Sequence, residues 1–493
     1  MKKQATHRSI IAPTEKVLLF FLLMFLLAIK VSFILYAKPL PDEAYYWIWS
    51  KNPALSYFDH PPLAIWLQSF LLSFSDNKYL VIRALPVFSL VIALIIIVLW
   101  QRNMGERLDY GISHKGIVLF LAFPIYAIFF SVSFPDHLLI TLLLTSSFCL
   151  FLYFESNNKF GNSIYYWYSA VLLFALALLT KYNAVLLGIG VLAYILFNRK
   201  QIGGPSLSQI FTSTIIVFLI QSPVLLWNLN NDFASFSFHM GERLDQGKNA
   251  LTVFTNVAGL LLGVLLAFSP IFIFNLKNNY SLLDHSENRK SFIAMARFTL
   301  LLSIIFCIFL CFYTNVLYYW LTPAMVLLIP FLTNILRSKI SQYVHIFYGI
   351  LISLVLLINT SVYPISAFFG KVDRETAILF GWEKIIEVVN REKKISNIET
   401  VIFSDYRLGS LYIFHSGDFE VDVIMEQRRT QFDIWREAGD RFGTSTLIIV
   451  DKDFPIGKKI SSKFQNIEFV RYIEIFFGKK LVKKYQVFLG TNT

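Results

Sequence analysis

Residues 41–63 read PDEAYYWIWSKNPALSYFDHPPL. Two adjacent carboxylates, Asp42 and Glu43, lead into the aromatics Tyr45, Tyr46, Trp47 and Trp49, and Tyr57 precedes an acid–imidazole pair, Asp59 and His60, backed by Pro61 and Pro62. The flanking runs 17–36 and 80–100 are apolar enough to cross a membrane. A plain connector between two such helices is a handful of residues long and needs none of this chemistry. The stretch reads as an active-site loop at a membrane surface, with the rest of the chain as its mount.

Composition agrees. The chain has 493 residues, of which 56% are hydrophobic and only 15% charged, against roughly 25% charged in soluble proteins. The net charge of +12 by itself suggests nucleic acid, but positive residues in membrane proteins mostly mark cytoplasmic loops, so no nucleic-acid partner is expected. Three cysteines exclude a disulfide framework. Cys307 and Cys311 lie within an apolar run, where packing explains them better than a metal does. The run at 17–36 is too long for a signal-peptide core and lacks a small-residue cleavage site, so it reads as the first membrane span.

About eleven spans follow from apolar length: 17–36, 80–100, 116–133, 138–154, 165–180, 184–198, 209–227, 251–275, 297–314, 317–336 and 343–363. Lysines and arginines gather in alternate loops (Arg102, Arg107, Lys115, Arg199, Lys200, Arg337, Lys339) and in the N-terminal tail, which places those loops inside. The loop at 37–79 then faces outward, with 43–50 and 62–74 as short interfacial helices along the membrane surface. Beyond Pro364 the chain turns charged and alternating. A helix is expected over 382–393, a strand at 400–403, and further helix or strands over 411–415, 421–425, 447–450 and 469–489. The expected architecture is a membrane all-α domain, 1–364, followed by a small soluble α/β domain, 365–493, on the same outer side as the loop.

That topology sends further polar residues to the outer face: Asp136, Lys181 with Tyr182, Asn228 at the end of the seventh span, then His239 and Arg243. Ionisable residues near spans are costly and usually functional. Carboxylates among aromatics suit sugars and hydroxyl groups. Asp42 suits a general base on an acceptor hydroxyl. Lys181, Arg243 and His60 suit a phosphate leaving group, held by charge-assisted hydrogen bonds. A phosphate at an outer interface implies a lipid-linked donor. Plainer readings stand beside these: Asp42 as a helix cap, Lys181 snorkelling to the interface, Asp136 capping the fourth span, and local pairing of Arg243. Lys30, inside the first span, reads as a snorkelling lysine.

The motifs Asp42–Trp47 and Tyr57–Leu63 resemble the first outer loop of the GT-C membrane glycosyltransferases. The likeness is to the bacterial family 39 group, related to protein O-mannosyltransferases and lipid A aminoarabinose transferases. It continues at Pro135-Asp136, Leu179–Tyr182, Ser222–Asn228, Ala234–Phe238, Tyr319-Trp320, Ser404–Tyr406 and Arg428–Trp435. The resemblance implies inverting transfer of a sugar from a polyprenyl-phosphate donor to an acceptor on lipid A, a surface glycan or a protein, at the periplasmic face of a bacterial inner membrane. It makes Asp42 the catalytic carboxylate, with Glu43 beside it and Asp136 as a further acid. His60, Lys181 and Arg243 are the expected donor-phosphate contacts. Tyr45, Tyr46, Trp47, Tyr57, Asp59, Tyr182 and Asn228 are the expected substrate contacts. His60 stands where the aminoarabinose transferases carry a lysine, which speaks against that donor. No redox cofactor is implied. A divalent metal on Asp42, Glu43 and Asp136 stays open. The competing class is a lipid-linked sugar transporter or flippase, which would place broken helices and charges near mid-membrane in paired halves.

Overall fold

The computed structural model describes residues 13–104, 110–156, 163–202, 204–242, 249–279, 287–369, 375–437 and 445–492. Eight helices among them are long and apolar enough to cross a membrane: Pro13–Tyr36, Lys78–Asn103, Pro135–Ser156, Leu207–Asn230, Ala250–Phe268, Ser291–Leu310, Tyr318–Ile335 and Lys339–Ser361. The other three expected spans are present as shorter pieces. Residues 165–180 and 184–198 fall in the apolar helices Ser163–Leu178 and Tyr182–Asn198, and 116–133 is split between Tyr110–Leu121 and Pro124–Phe129.

Interruptions follow proline. Pro124 opens its own helix at the first position, where its missing N–H costs nothing. The eighth expected span ends at Phe268, and Ser269, at φ 66°, turns the chain into the helix Pro270–Asn279. The residue before proline is pushed out of helical geometry, so one expected helix becomes two. Tyr318–Ile335 alternates between 3₁₀ and α turns around Pro323 and Pro330, and residues Leu321–Leu332 are buried without a gap. Irregular backbone survives at membrane depth only when wrapped in protein.

Lys30 does not snorkel. It is 4% exposed, and its ammonium donates to the carbonyls of Tyr126 and Ala127, both at 3.0 Å. These carbonyls belong to the last turn of the short Pro124–Phe129 helix, the end of a helix that attracts a lysine.

The expected interfacial helices form as Pro41–Ser50 and Leu63–Leu72. The first does not lie on lipid. Every residue from Glu43 to Ser50 is buried, and its aromatics meet the helix Tyr406–Ser416: Tyr45 lies 4.9 Å from Tyr406, and Trp47 lies 5.1 Å from Phe414. Trp47, Trp49 and Tyr57 share one hydrophobic core with Phe403, Leu411 and Val487 of the sheet region. Aromatics that composition alone assigns to an interface have protein partners from the far end of the chain.

The sheet has five strands: β1 (Val401–Phe403), β2 (Val421–Val423), β3 (Ser445–Asp451), β4 (Asn466–Phe477) and β5 (Lys480–Thr491). Their order is β2-β1-β3-β5-β4. β1 runs parallel to both β2 and β3, while β3–β5 and β5–β4 are antiparallel. The Tyr406–Ser416 helix is the crossover between β1 and β2, so the sheet's own connection roofs the loop. Asp405 caps this helix, accepting from the Arg407 N–H at 3.1 Å. The expected helix at 382–393 is Trp382–Ser396.

Candidate active site

A cavity of 1240 Å³ opens between the spans and the sheet region. Its lower wall is apolar. Tyr348, Ile352, Val355 and Leu356 line it from one face of the last span, and Ile125, Ile128 and Phe129 from the interrupted third. Spacings of three and four place each set on one side of its helix. The other end is charged, with Asp42, His60, Asp136, Lys181, Arg407 and Arg428 at the wall.

Asp42 and Tyr46, four apart on the Pro41–Ser50 helix, face this cavity. Tyr45 and Trp49 take the opposite, packed side and meet edge to face at 4.7 Å. The helix starts at Pro41 with Leu40 as its N-cap, so Asp42 is not the cap. Its Oδ1 instead accepts from the Tyr406 hydroxyl at 3.0 Å. Burial raises the Asp42 pKa, against the opposing pull of the Tyr406 hydrogen bond and the Arg428 charge.

Adjacent helix positions project about 100° apart, and Glu43 accordingly turns away. It is fully buried and paired with Arg83 at 2.5 Å, and it accepts from the N–H groups of Leu40 at 3.0 Å and Ser133 at 2.7 Å. Arg83 also donates to the carbonyls of Ser131 and Ala37. Glu43 is thus a clamp joining the loop helix to the second and third spans, and it has no place in the cavity wall. The three acids left open for a metal therefore do not converge: Glu43 is spent on Arg83 and Asp136 on Lys181. Among the described residues no three His, Cys, Asp or Glu side chains are grouped to hold a metal.

Asp136, on the first turn of Pro135–Ser156, forms a buried ion pair with Lys181 at 2.6 Å. Lys181 sits 4.8 Å over the Tyr319 ring and is 8% exposed, so it does not snorkel. The second oxygen of Asp136 is buried with no protein donor among the described residues. His60 reaches the cavity with its ring 5.7 Å from that of Tyr46.

Several expected substrate contacts are engaged with other protein groups. Asp59 binds Arg428 at 2.7 Å and accepts from the Tyr45 hydroxyl at 3.2 Å. Tyr57 stacks on Trp49 at 4.7 Å and its hydroxyl accepts from the Ala54 N–H. Tyr182 meets Ser235 at 3.0 Å, and Asn228 accepts from the Phe236 N–H at 3.2 Å. Both hold the turn after the seventh span. Trp47 packs under Phe414. None of these, nor Tyr45, lines the cavity. Arg243 lies outside the described residues.

Sequence reasoning missed Arg83, Arg407 and the role of Arg428. Arg428 enters from the segment after β2 and lies 4.7 Å over the Tyr406 ring. Burial works against its charge, but Asp59 and its surroundings raise its pKa, so it stays a cation. Arg407 is paired with Asp405 at 2.8 Å and Glu375 at 2.9 Å. Arg83 was legible as an arginine at the end of an apolar run. The other two sit more than 300 residues from the loop they serve.

The crystal structure of ArnT from Cupriavidus metallidurans bound to undecaprenyl phosphate superposes with a TM-score of 0.64, covering 97% of this chain and 98% of that one at 12% identity. Its apo state gives 0.59 over 96% and 98%. This is the GT-C glycosyltransferase fold. The GT-C likeness extends through both the spans and the sheet region. In sequence, residues 59–227 match the family described as dolichyl-phosphate-mannose-protein mannosyltransferase. The lipid A galacturonosyltransferase RgtD of Rhizobium johnstonii is 27% identical over 195 residues. That alignment spans 39% of this chain and 38% of RgtD, well under half of either.

Proposed function

We propose that this protein is a membrane glycosyltransferase that moves a sugar from a polyprenyl-phosphate donor to an acceptor hydroxyl or phosphate on lipid A, a surface glycan or a protein. The observation that carries the reading is the two-ended cavity, an apolar trough between spans that runs into a charged pocket holding Asp42. A lipid tail suits the first end and a sugar phosphate the second. The ArnT structure with undecaprenyl phosphate is in keeping with such a donor.

For a hydroxyl acceptor, Asp42 takes its proton as the acceptor oxygen bonds to the anomeric carbon. The bond from that carbon to the phosphate oxygen breaks, and polyprenyl phosphate leaves with the electron pair. A single displacement inverts the carbon. Burial that raises the Asp42 pKa makes it a stronger base. In this reading Lys181, His60 and Arg428, which line the cavity, hold the leaving phosphate, and the charges of Lys181 and Arg428 stabilise it in a site that excludes water. Residues 1–364 would bind donor and carry Asp42. Residues 365–493 would close the site and bias the acceptor. We place the protein in a bacterial inner membrane with this site on the periplasmic side, from the lysine and arginine distribution.

Replacing Asp42 with Asn in the native host, at matched membrane levels, tests the proposal through mass spectra of lipid A, surface polysaccharide and envelope peptides. Loss of one sugar mass from one class supports it and names sugar and acceptor together. A full complement in every class would sink it in favour of a lipid-linked sugar transporter.

A further inference from the structure

We propose that the β4–β5 turn and residues 368–369 form one surface that seats the sheet region on the lipid headgroups of the membrane its own spans cross. The turn itself is Gly478-Lys479, and the strand ends beside it place Phe476-Phe477 on one flank and Lys480 on the other. Phe476 and Phe477 are about half exposed, and Phe368 and Phe369 are 70% and 75% exposed. Gly478, at φ 60°, takes the left-handed conformation that the tight turn requires.

The two halves are joined. The Lys480 ammonium donates to the Phe368 carbonyl at 2.9 Å and lies 5.0 Å over its ring. Tyr363 packs edge-on to Phe477 at 4.7 Å. Tyr363 is two residues beyond the last span, Lys339–Ser361, so the patch continues the lipid-facing surface of that helix. Clustered exposed aromatics need a partner, and rings flanked by lysines are the composition of an interfacial anchor. Lys479 and Lys480 add attraction to anionic headgroups. An anchor here holds Tyr406 and Arg428 over the cavity. The inference rests on the spans crossing a bilayer and is independent of glycosyl transfer.

The test uses the full chain in nanodiscs. A thiol-reactive environment-sensitive fluorophore is placed at Phe477→Cys, at Phe368→Cys and at Asn466→Cys, with the parent chain labelled in parallel for background. Asn466 begins β4, roughly 36 Å along the strand from the turn. The expected result is blue-shifted emission at 477 and 368, quenched by headgroup nitroxide lipids, and water-like emission at 466. With phosphatidylglycerol present, quenching should be about twofold greater than in phosphatidylcholine alone, and Lys479→Glu with Lys480→Glu should abolish that difference. Water-like, unquenched emission at both 477 and 368 overturns the proposal. Equal quenching at 466 does so too, since the depth would then not belong to the turn. Using two probe sites keeps the test decisive if one substitution fails to fold.

Discussion

The Tyr406 hydroxyl donates to Asp42 Oδ1 at 3.0 Å, joining residues 364 positions apart. One comes from the first loop and the other from the crossover helix of the sheet. The carboxylate proposed to do the chemistry is therefore tuned by a segment that the membrane domain does not contain.

Tyr406→Phe removes a hydrogen bond that lowers the Asp42 pKa. The base works only when ionised, so the acid limb of kcat/KM against pH should move to higher pH. Hydrogen bonds to charged groups are worth about 1.5–3 kcal/mol, so the shift should be on the order of one unit. A limb that stays in place, or moves lower, would show that Asp42 is not the titrating group.

Glu43→Gln or Arg83→Met each leaves a buried charge without its partner, at a cost of about 3–5 kcal/mol. Thermal unfolding in detergent should show both single variants well below the parent. The double variant should recover part of the loss, because neither charge is then stranded. A double variant that loses the sum of the two would mean the clamp is not a unit.

Arg428→Met should lower kcat/KM on the order of a hundredfold if the guanidinium meets the leaving phosphate. Arg428→Lys should recover little, since a lysine lacks the planar fork that also stacks on Tyr406. Normal donor kinetics in Arg428→Met would confine this residue to holding Asp59.

His415 stacks on Trp382 with ring centroids 5.3 Å apart. Burial, helped by Lys78 and Lys38, lowers its pKa from 6.5 to about 4. Between those values the unfolded chain binds a proton that the folded chain refuses. Stability from this group is thus complete above 6.5 and declines as the pH falls towards about 4. Protection factors across Tyr406–Ser416, which divide out the intrinsic pH dependence of amide exchange, should fall as the pH drops through that window, and His415→Phe should flatten the dependence. Protection equally pH-dependent in both proteins would assign the effect to another group.

Much was legible from residue type and spacing. Apolar length marked the spans, because lipid demands long runs without charge, but it ran straight through the prolines at 124 and 270, where two expected helices part. The Asp42–His60 loop stood out because its chemistry exceeds what a connector needs, and the motifs in the chain named a GT-C fold that superposition on ArnT supports. What periodicity could not show is which side of a short helix faces substrate when every side is aromatic or acidic. Asp42 faces the cavity, whereas Glu43 is committed to Arg83, and only the packing of Tyr45 and Trp49 sets that rotation. Lys30 read as snorkelling and is instead buried, and Lys181 stood between snorkelling and a phosphate contact, because a lysine near a span end suits water or a buried partner alike. By itself, the order of residues determined the spans, the loop and its chemistry, since these depend on local composition. The tertiary structure alone decided which acids pair, which aromatics pack against protein, and that Tyr406 and Arg428 reach Asp42 and Asp59, because those contacts join residues hundreds of positions apart.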